Sequence, residues 1–532
     1  IYHMGREEKA DLILNRQAMA SHTFVTGSTG TGKSNAVYHL LDEITKDGRT
    51  SFLVVEPAKG EYKNVFGSRA DVKVFGTNPR ETPLLRINPF AFPQDIHILE
   101  HIDRLVEIFN ACWPMYAAMP AVLKDAIERS YQKVGWDLRN SESEKGVFPT
   151  FFDLLDILPG VIEESHYSKD TQSDYVGALC TRVKSLTNGI YGSVFCAEDA
   201  LSDAELFDCN VVVDLSRVGS METKSLLMGI LVMKLQEYRM CGSEMNSRLR
   251  HVTVLEEAHN LLRKTSAEQP QEGANLQGKS VEMLANAIAE MRTYGEGFII
   301  ADQAPGLLDM SVIRNTNTKI ILRLPDEEDR KLVGKSAALK EAQIDELSKL
   351  PLGVAAVYQN EWPEAVLCKI EAYPMPENAV YHKPSKMPHE INAEFVFGQL
   401  AAGKELEPLG VSEMEQLKLW LKRHEMMLKP EDGRYLEQVF AGGELDVAKT
   451  RKAVFDFFGG ISTVVDYCAA AEKSFTPRKE FLEQLQGQYG LKAAAADWVL
   501  NSVISMGVSL NPDAKAVENL RTNFEQQGGR VL

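Results

Sequence analysis

The chain has 532 residues, too many for one ordinary domain and enough for several buried cores. Its composition, 44% hydrophobic and 25% charged, is globular and excludes a disordered chain; no apolar run reaches the ~18–20 residues of a bilayer-spanning helix, so no membrane partner is expected. A net charge of −17, from 58 basic and 75 acidic residues, excludes a surface coated for DNA but leaves room for DNA on a small basic patch or in a channel.

In chain order, strands are expected at Thr23–Thr26, Ser51–Glu56, Val72–Phe75, Asn210–Leu215, His251–Glu256, Gly297–Asp302, Thr318–Leu324, Gly353–Gln359 and Ala365–Ile370. Several are unbroken apolar runs, such as VVVDL and FIIAD, as strands covered on both faces are. They alternate with helical patterns, which predicts an α/β fold with a mainly parallel sheet. From 93 to 206 the pattern is helical throughout, an expected insertion between a first core part, 1–92, and a second, 207–370. The proline-rich stretch 371–390 reads as a linker or strap, and 391–532 as a C-terminal helical domain. The seven cysteines form no CxxC pair and the eleven histidines no ligand spacing, so neither a disulfide framework nor a zinc site is expected, and a reducing cytoplasm fits. No signal peptide is visible, although the chain opens at Ile1 and not at Met, so that observation carries little weight.

The sharpest motif is Gly27-Ser28-Thr29-Gly30-Thr31-Gly32-Lys33-Ser34, a full match to GxxxxGK[ST] between a strand and a helix running from Ser34 to about Lys46. Its glycines let backbone N–H groups close around phosphate oxygens, and the helix N-terminus adds partial positive charge. Lys33 is expected to reach the β- and γ-phosphates of ATP and Ser34 to ligate Mg²⁺, with Gly27 to Asn35 forming the nucleotide cradle.

An ATPase also needs an acid on a neighbouring strand for Mg²⁺ and a second carboxylate to polarise water. The strand His251–Glu256 ends in an adjacent pair, Glu256 and Glu257; Glu256 is assigned to the metal and Glu257 to the catalytic base. Asp214, at the end of NVVVD, reads instead as a turn-capping acid. More than 200 residues separate Lys33 from the acidic pair, which leaves no room for a small nucleotide kinase or small GTPase.

The ordered motifs HTFVTGSTGTGKSN, FLVVEPAKGEYKNVFG, VTVLEEAHNLL, NAIAEMRTYGEGFIIADQAPGLLD and VIRNTNTKIILRL together resemble the HerA branch of the HerA/FtsK-type ATPases, over residues 3 to 370 or so. The resemblance implies a RecA-like P-loop ATPase fold, a homohexamer and double-stranded DNA translocated through a central channel. It also implies a separate effector, a nuclease or a sirtuin-type NAD-consuming enzyme, in DNA processing or anti-phage defence. Family members usually begin with a small β-barrel, whereas this chain starts almost at the ATPase. The resemblance does not extend to the residues from 391 onward.

Within that frame Gln303, after the strand that ends at Asp302, is expected to sense the γ-phosphate. An arginine finger from the neighbouring subunit is expected at Arg292 first and Arg314 second. Glu56 or Glu61 is expected to help order water or the subunit contact, with nothing to choose between them. DNA phosphates are expected to meet the loops Ser216–Lys224 and Arg263–Lys279 through Arg217, Lys264 or Lys279. His259 is expected to hold structure by a hydrogen bond. The rival reading is a ring scaffold that answers ATP by activating a partner without moving DNA.

Overall fold

The computed structural model describes residues 1–376 except 4–5, 8–9, 117, 144–145, 166, 198–199, 243 and 266–275, and residues 434–529 except 437, 439–445, 459, 472–475, 490–492 and 511–513. It divides into two compact units, 1–387 and 388–532.

The first unit opens with a short antiparallel ribbon of β1 (Tyr2–His3) and β2 (Arg6–Glu7). Its centre is a nine-stranded sheet of β3 (Thr23–Thr26), β4 (Ser51–Glu56), β5 (Val72–Gly76), β8 (Asn210–Asp214), β9 (His251–Glu256), β10 (Glu296–Asp302), β11 (Thr318–Ile321), β12 (Val354–Gln359) and β13 (Val366–Lys369). Between β5 and β8, β6 (Trp136–Asp137) pairs antiparallel with β7 (Glu142–Ser143). The order across the sheet is β13-β12-β11-β3-β10-β9-β4-β8-β5. All pairings from β11 to β5 are parallel, and β12 and β13 close one side antiparallel.

Successive residues of the parallel strands enter different cores. Phe24, Leu53, Val55, Val211, Val213 and Ile300 pack on one face of the sheet, and Val25, Phe52, Val54, Val212, Ile299 and Ala301 on the other. Both faces are covered, so each strand must be apolar at every position, which is why the sequence shows runs and not alternation.

The helices α1 (Lys33–Thr45) and α2 (Tyr62–Phe66) follow β3 and β4. Among the described residues seven α-helices separate β5 from β8: α3 (Ile98–Cys112), α4 (Met119–Lys133), α5 (Phe151–Glu164), α6 (Lys169–Tyr175), α7 (Thr181–Thr187), α8 (Gly189–Phe195) and α9 (Asp203–Phe207), with a π-helical turn at Val176–Cys180. The β6–β7 ribbon among them departs from the purely helical expectation; two-residue strands are too short to leave a period. Next come α10 (Met221–Gly242) and α11 (Leu276–Glu290), both against α3. The second unit holds helices at Val447–Phe457, Gly460–Ala471, Pro477–Tyr489, Ala493–Leu510 and Ala514–Gln526. Their own core contains Phe455, Tyr467, Phe481, Leu500 and Phe524.

Three strands, β8, β11 and β13, end earlier than expected; β13 stops one residue short, at Lys369. β8 stops at Asp214, whose carboxylate accepts the Ser216 N–H at 2.9 Å and turns the chain. β11 stops at Ile321; beyond it the Leu322 N–H donates to the Thr26 carbonyl at 2.8 Å and the Arg323 carbonyl accepts the Ser28 N–H at 2.9 Å, so residues 322–323 hold the start of the phosphate loop.

At the start of β3, His22 is buried with its Nδ1 accepting the Phe298 N–H at 3.0 Å. Burial lowers its pKa to about 4. The unfolded chain takes up this proton near pH 6.5 and the folded chain near 4, so the stability His22 contributes is present above 6.5 and is lost as pH falls through that window. Thermal melting of His22→Asn, which keeps an acceptor and tolerates the residue's φ of 65°, should therefore depend less on pH between 6.5 and 4 than that of the natural chain.

Candidate functional site

Parallel strands bring the loops after β3, β4, β9 and β10 to one edge of the sheet, where open α/β folds bind ligands. The phosphate loop leaves β3 there. Gly32 caps α1 with φ 106°, a conformation that L side chains rarely adopt. A Cβ on Gly27 would stand 2.7 Å from Leu322 Cβ. The loop is braced internally by Thr31 Oγ1 donating to the Ser28 carbonyl at 2.7 Å, and externally by Gly353 N–H donating to the Thr31 carbonyl at 3.3 Å.

Lys33 is buried, its Nζ donating to the Gly27 carbonyl at 2.8 Å, so the ammonium lies curled within the loop. Burial lowers its pKa, and Glu257 and Glu256 oppose that shift. Beside it a cleft of about 500 Å³ is lined by Gly30, Gly32, Lys33, Ser34, Lys59 and Gly353, with Lys369–Ala372 along one side. Thr29 Oγ1 donates to Gln303 Oε1 at 2.7 Å, so the residue after β10 touches the phosphate loop directly.

The two glutamates after β9 differ in setting. Glu256 is buried, and its Oε1 accepts the Tyr62 hydroxyl. Burial raises its pKa to about 7. Glu257 adopts the left-handed region, with φ 44° and ψ 52°, which costs a non-glycine residue roughly 1 kcal/mol or more. Its Oε2 is buried without a hydrogen-bond partner. Its pKa too is raised, by burial and then by Asp302.

His259 bonds twice to the buried Asp302, through its N–H at 2.8 Å and its Nδ1 at 2.9 Å. That contact raises the His259 pKa. Glu257, His259 and Asp302 each bring a ligand atom within 4.8 Å of the others. The donor set fits the Mg²⁺ that a P-loop ATPase uses: the Ser34 hydroxyl and the carboxylates offer hard oxygen atoms, and Glu257 Oε2 is buried without a hydrogen bond, 3.5 Å from His259 Nδ1.

The remaining sequence candidates spread out. Asn35 also lines the cleft, and its side chain ties the strap after β13 to it: its Nδ2 donates to the Glu371 carbonyl at 2.7 Å and its Oδ1 accepts the Tyr373 N–H at 2.7 Å. Glu56 is buried and caps its own loop, accepting the N–H groups of Glu61 at 2.7 Å and Tyr62 at 3.1 Å. Burial raises its pKa to about 8. Glu61 is exposed, 4.0 Å from Lys59. Asp214 pairs with Lys63 at 2.6 Å in addition to capping its turn.

Arg292 and Arg314 are exposed, in the turns that lead into β10 and β11. They therefore occupy the sheet edge opposite the phosphate loop, and the fold brings neither to this chain's own cleft. Arg217 pairs with Glu81 at 2.6 Å. Lys264 and Lys279 are exposed, and residues 266–275 between them lie outside the described residues.

Three contributors went unseen in the sequence. Asp302 was read only as the last residue of a strand, although an acid ending the apolar run FIIAD is the same signal that singled out Glu256. Lys59 lines the cleft with a φ of 63°, which no pattern announces. Tyr62 reaches Glu256 across 194 residues of chain.

Residues 3–188 match the family described as the central domain of helicase HerA. Two curated relatives are DNA double-strand break repair helicases HerA. That of Sulfolobus acidocaldarius is 25% identical over 365 residues, covering 67% of this chain and 66% of its own. That of Sulfurisphaera tokodaii is 23% identical over 362 residues, again covering 67% and 66%. This chain thus spans just under two thirds of their length.

Among solved structures, VirB4 of Thermoanaerobacter pseudethanolicus superimposes with a TM-score of 0.51 at 18% identity, over 66% of this chain and 90% of its own. The bacterial conjugative coupling protein TrwBdeltaN70 does so with a TM-score of 0.50 at 15% identity, over 72% and 92%. Both likenesses bear on the fold alone, which is that of the RecA-like P-loop ATPases. Phosphate loop, acidic strand end and fold together mark a P-loop NTPase, of which residues 3–188 are similar to the central domain of helicase HerA.

Proposed function

We propose that the chain is an ATP-hydrolysing translocase of double-stranded DNA that works in the cytoplasm as a hexameric ring and serves a separate effector, a nuclease or an NAD-consuming enzyme, in DNA processing or anti-phage defence. The observation that carries this reading is the split of functional groups between the two sheet edges. Lys33, Glu256, Glu257 and Gln303 gather at one edge, while the exposed Arg292 and Arg314 sit at the other, where they are offered to a neighbouring copy. The relatives named as DNA double-strand break repair helicases support DNA as the substrate.

In this reading the loop amides and Lys33 hold the β- and γ-phosphates, and Ser34 and Glu256 hold Mg²⁺. The metal supplies neutralisation of the phosphate oxygens. Glu257 takes the proton of the attacking water. Gln303, hydrogen-bonded to Thr29, registers the presence of the γ-phosphate and passes the change to β10. Lys264 and Lys279 contact DNA phosphates, without sequence preference.

The test is ATP turnover of the purified protein with and without linear duplex DNA at two salt concentrations. Stimulation by DNA that weakens at the higher salt is the expected result. Turnover that ignores DNA but rises with a partner effector would replace the translocase by the ring scaffold.

A further inference from the structure

Ser34 and Glu256 come from different elements and each is met by a tyrosine. Tyr62 is fully buried and its hydroxyl donates to Glu256 Oε1. Tyr38 lies one turn along α1 from Ser34, which brings its side chain to the same side of the helix. The two tyrosine rings meet edge to face with centroids 4.9 Å apart. Tyr373 of the strap packs on Tyr38 at 5.8 Å.

Oxygen ligands bind a cation through lone pairs, so the remaining lone pairs and protons need fixed partners. A serine hydroxyl that turns its lone pair to a metal must give its proton to an acceptor, and Tyr38 Oη is one. A buried carboxylate that offers one oxygen to a metal-bound water is best held by a donor on the other, and Tyr62 is that donor. Such partners orient ligands and typically change metal affinity 10–100-fold when removed.

We infer that Tyr62 and Tyr38 form one aromatic pair that positions the two magnesium ligands, Glu256 and Ser34, and that Tyr62 sets the affinity of the site for Mg²⁺. The inference rests on the ATP–magnesium reading above. Tyr62 is a positioning residue: it acts through Glu256 and touches neither nucleotide nor metal.

The test is binding of a fluorescent ADP analogue to the full chain, first in EDTA and then along a MgCl₂ titration. In the natural protein Mg²⁺ should tighten binding. Tyr62→Phe keeps the ring and loses the donor, and should need about tenfold more Mg²⁺ for the same tightening, with its affinity in EDTA preserved. An unchanged magnesium midpoint in Tyr62→Phe would overturn the inference while leaving the ATP reading intact. A natural protein that binds the analogue indifferently to Mg²⁺ would overturn the ATP–magnesium reading, and the inference with it. If Tyr62→Phe does not fold, Tyr38→Phe decides in its place, by a rise in the magnesium midpoint or by none.

Discussion

Lys33→Ala should abolish ATP turnover, by on the order of 10²–10³-fold or more, as removal of one preorganised charge-stabilising donor does elsewhere. The structure explains why no neighbour compensates. Lys33 Nζ is 2.8 Å from the Gly27 carbonyl, buried inside the loop. The other cations along the cleft, Lys59 and Lys369, are exposed. Alanine also removes a charge-assisted hydrogen bond to the phosphates, worth roughly 1.5–3 kcal/mol, so nucleotide affinity should fall about 10–100-fold as well. Direct titration with ATP beside the turnover assay separates the two losses. Full turnover in Lys33→Ala would remove the phosphate loop from the mechanism.

Glu257→Gln should behave differently, losing turnover about 10²–10⁴-fold while nucleotide binding survives. Gln keeps the size and the hydrogen-bonding oxygen but cannot accept the proton of water. Glu256→Gln should instead weaken the magnesium dependence of binding, so the adjacent acids are told apart by which assay each one moves. The carboxyl of Glu257 is raised by burial and by Asp302. A base must be ionised to act, so activity should be lost on the acid side at a pH above the ordinary carboxylate range. Glu257→Gln that turns over ATP normally would transfer the role of base to another group, with Asp302 and His259 the nearest.

The sequence carried the parallel sheet because burial on both faces forces continuous apolar runs, as at Val211–Val213 and Phe298–Ala301. It carried the phosphate loop because glycine at 32 and lysine at 33 are imposed by local backbone geometry. The β6–β7 ribbon was not legible, because two residues set no period. The contacts Tyr62–Glu256 and Thr29–Gln303 were not legible either, since they join positions 194 and 274 residues apart that only the strand order brings together. Asn35, which follows the motif directly, lines the cleft, and its side chain also bonds to the strap, a contact that no local pattern announces.

The placement of Arg292 and Arg314 has a consequence for assembly. A contact that seats either arginine against the phosphate loop of another copy joins two different surfaces of the same chain. Such a contact is heterologous and cannot be completed by a two-fold axis, because each chain would still present one unmet edge at either end. Growth then stops only when the rotation per chain closes a circle; otherwise it continues as a helical filament. Each added copy would complete one catalytic cleft and leave the next one open until the circle closes.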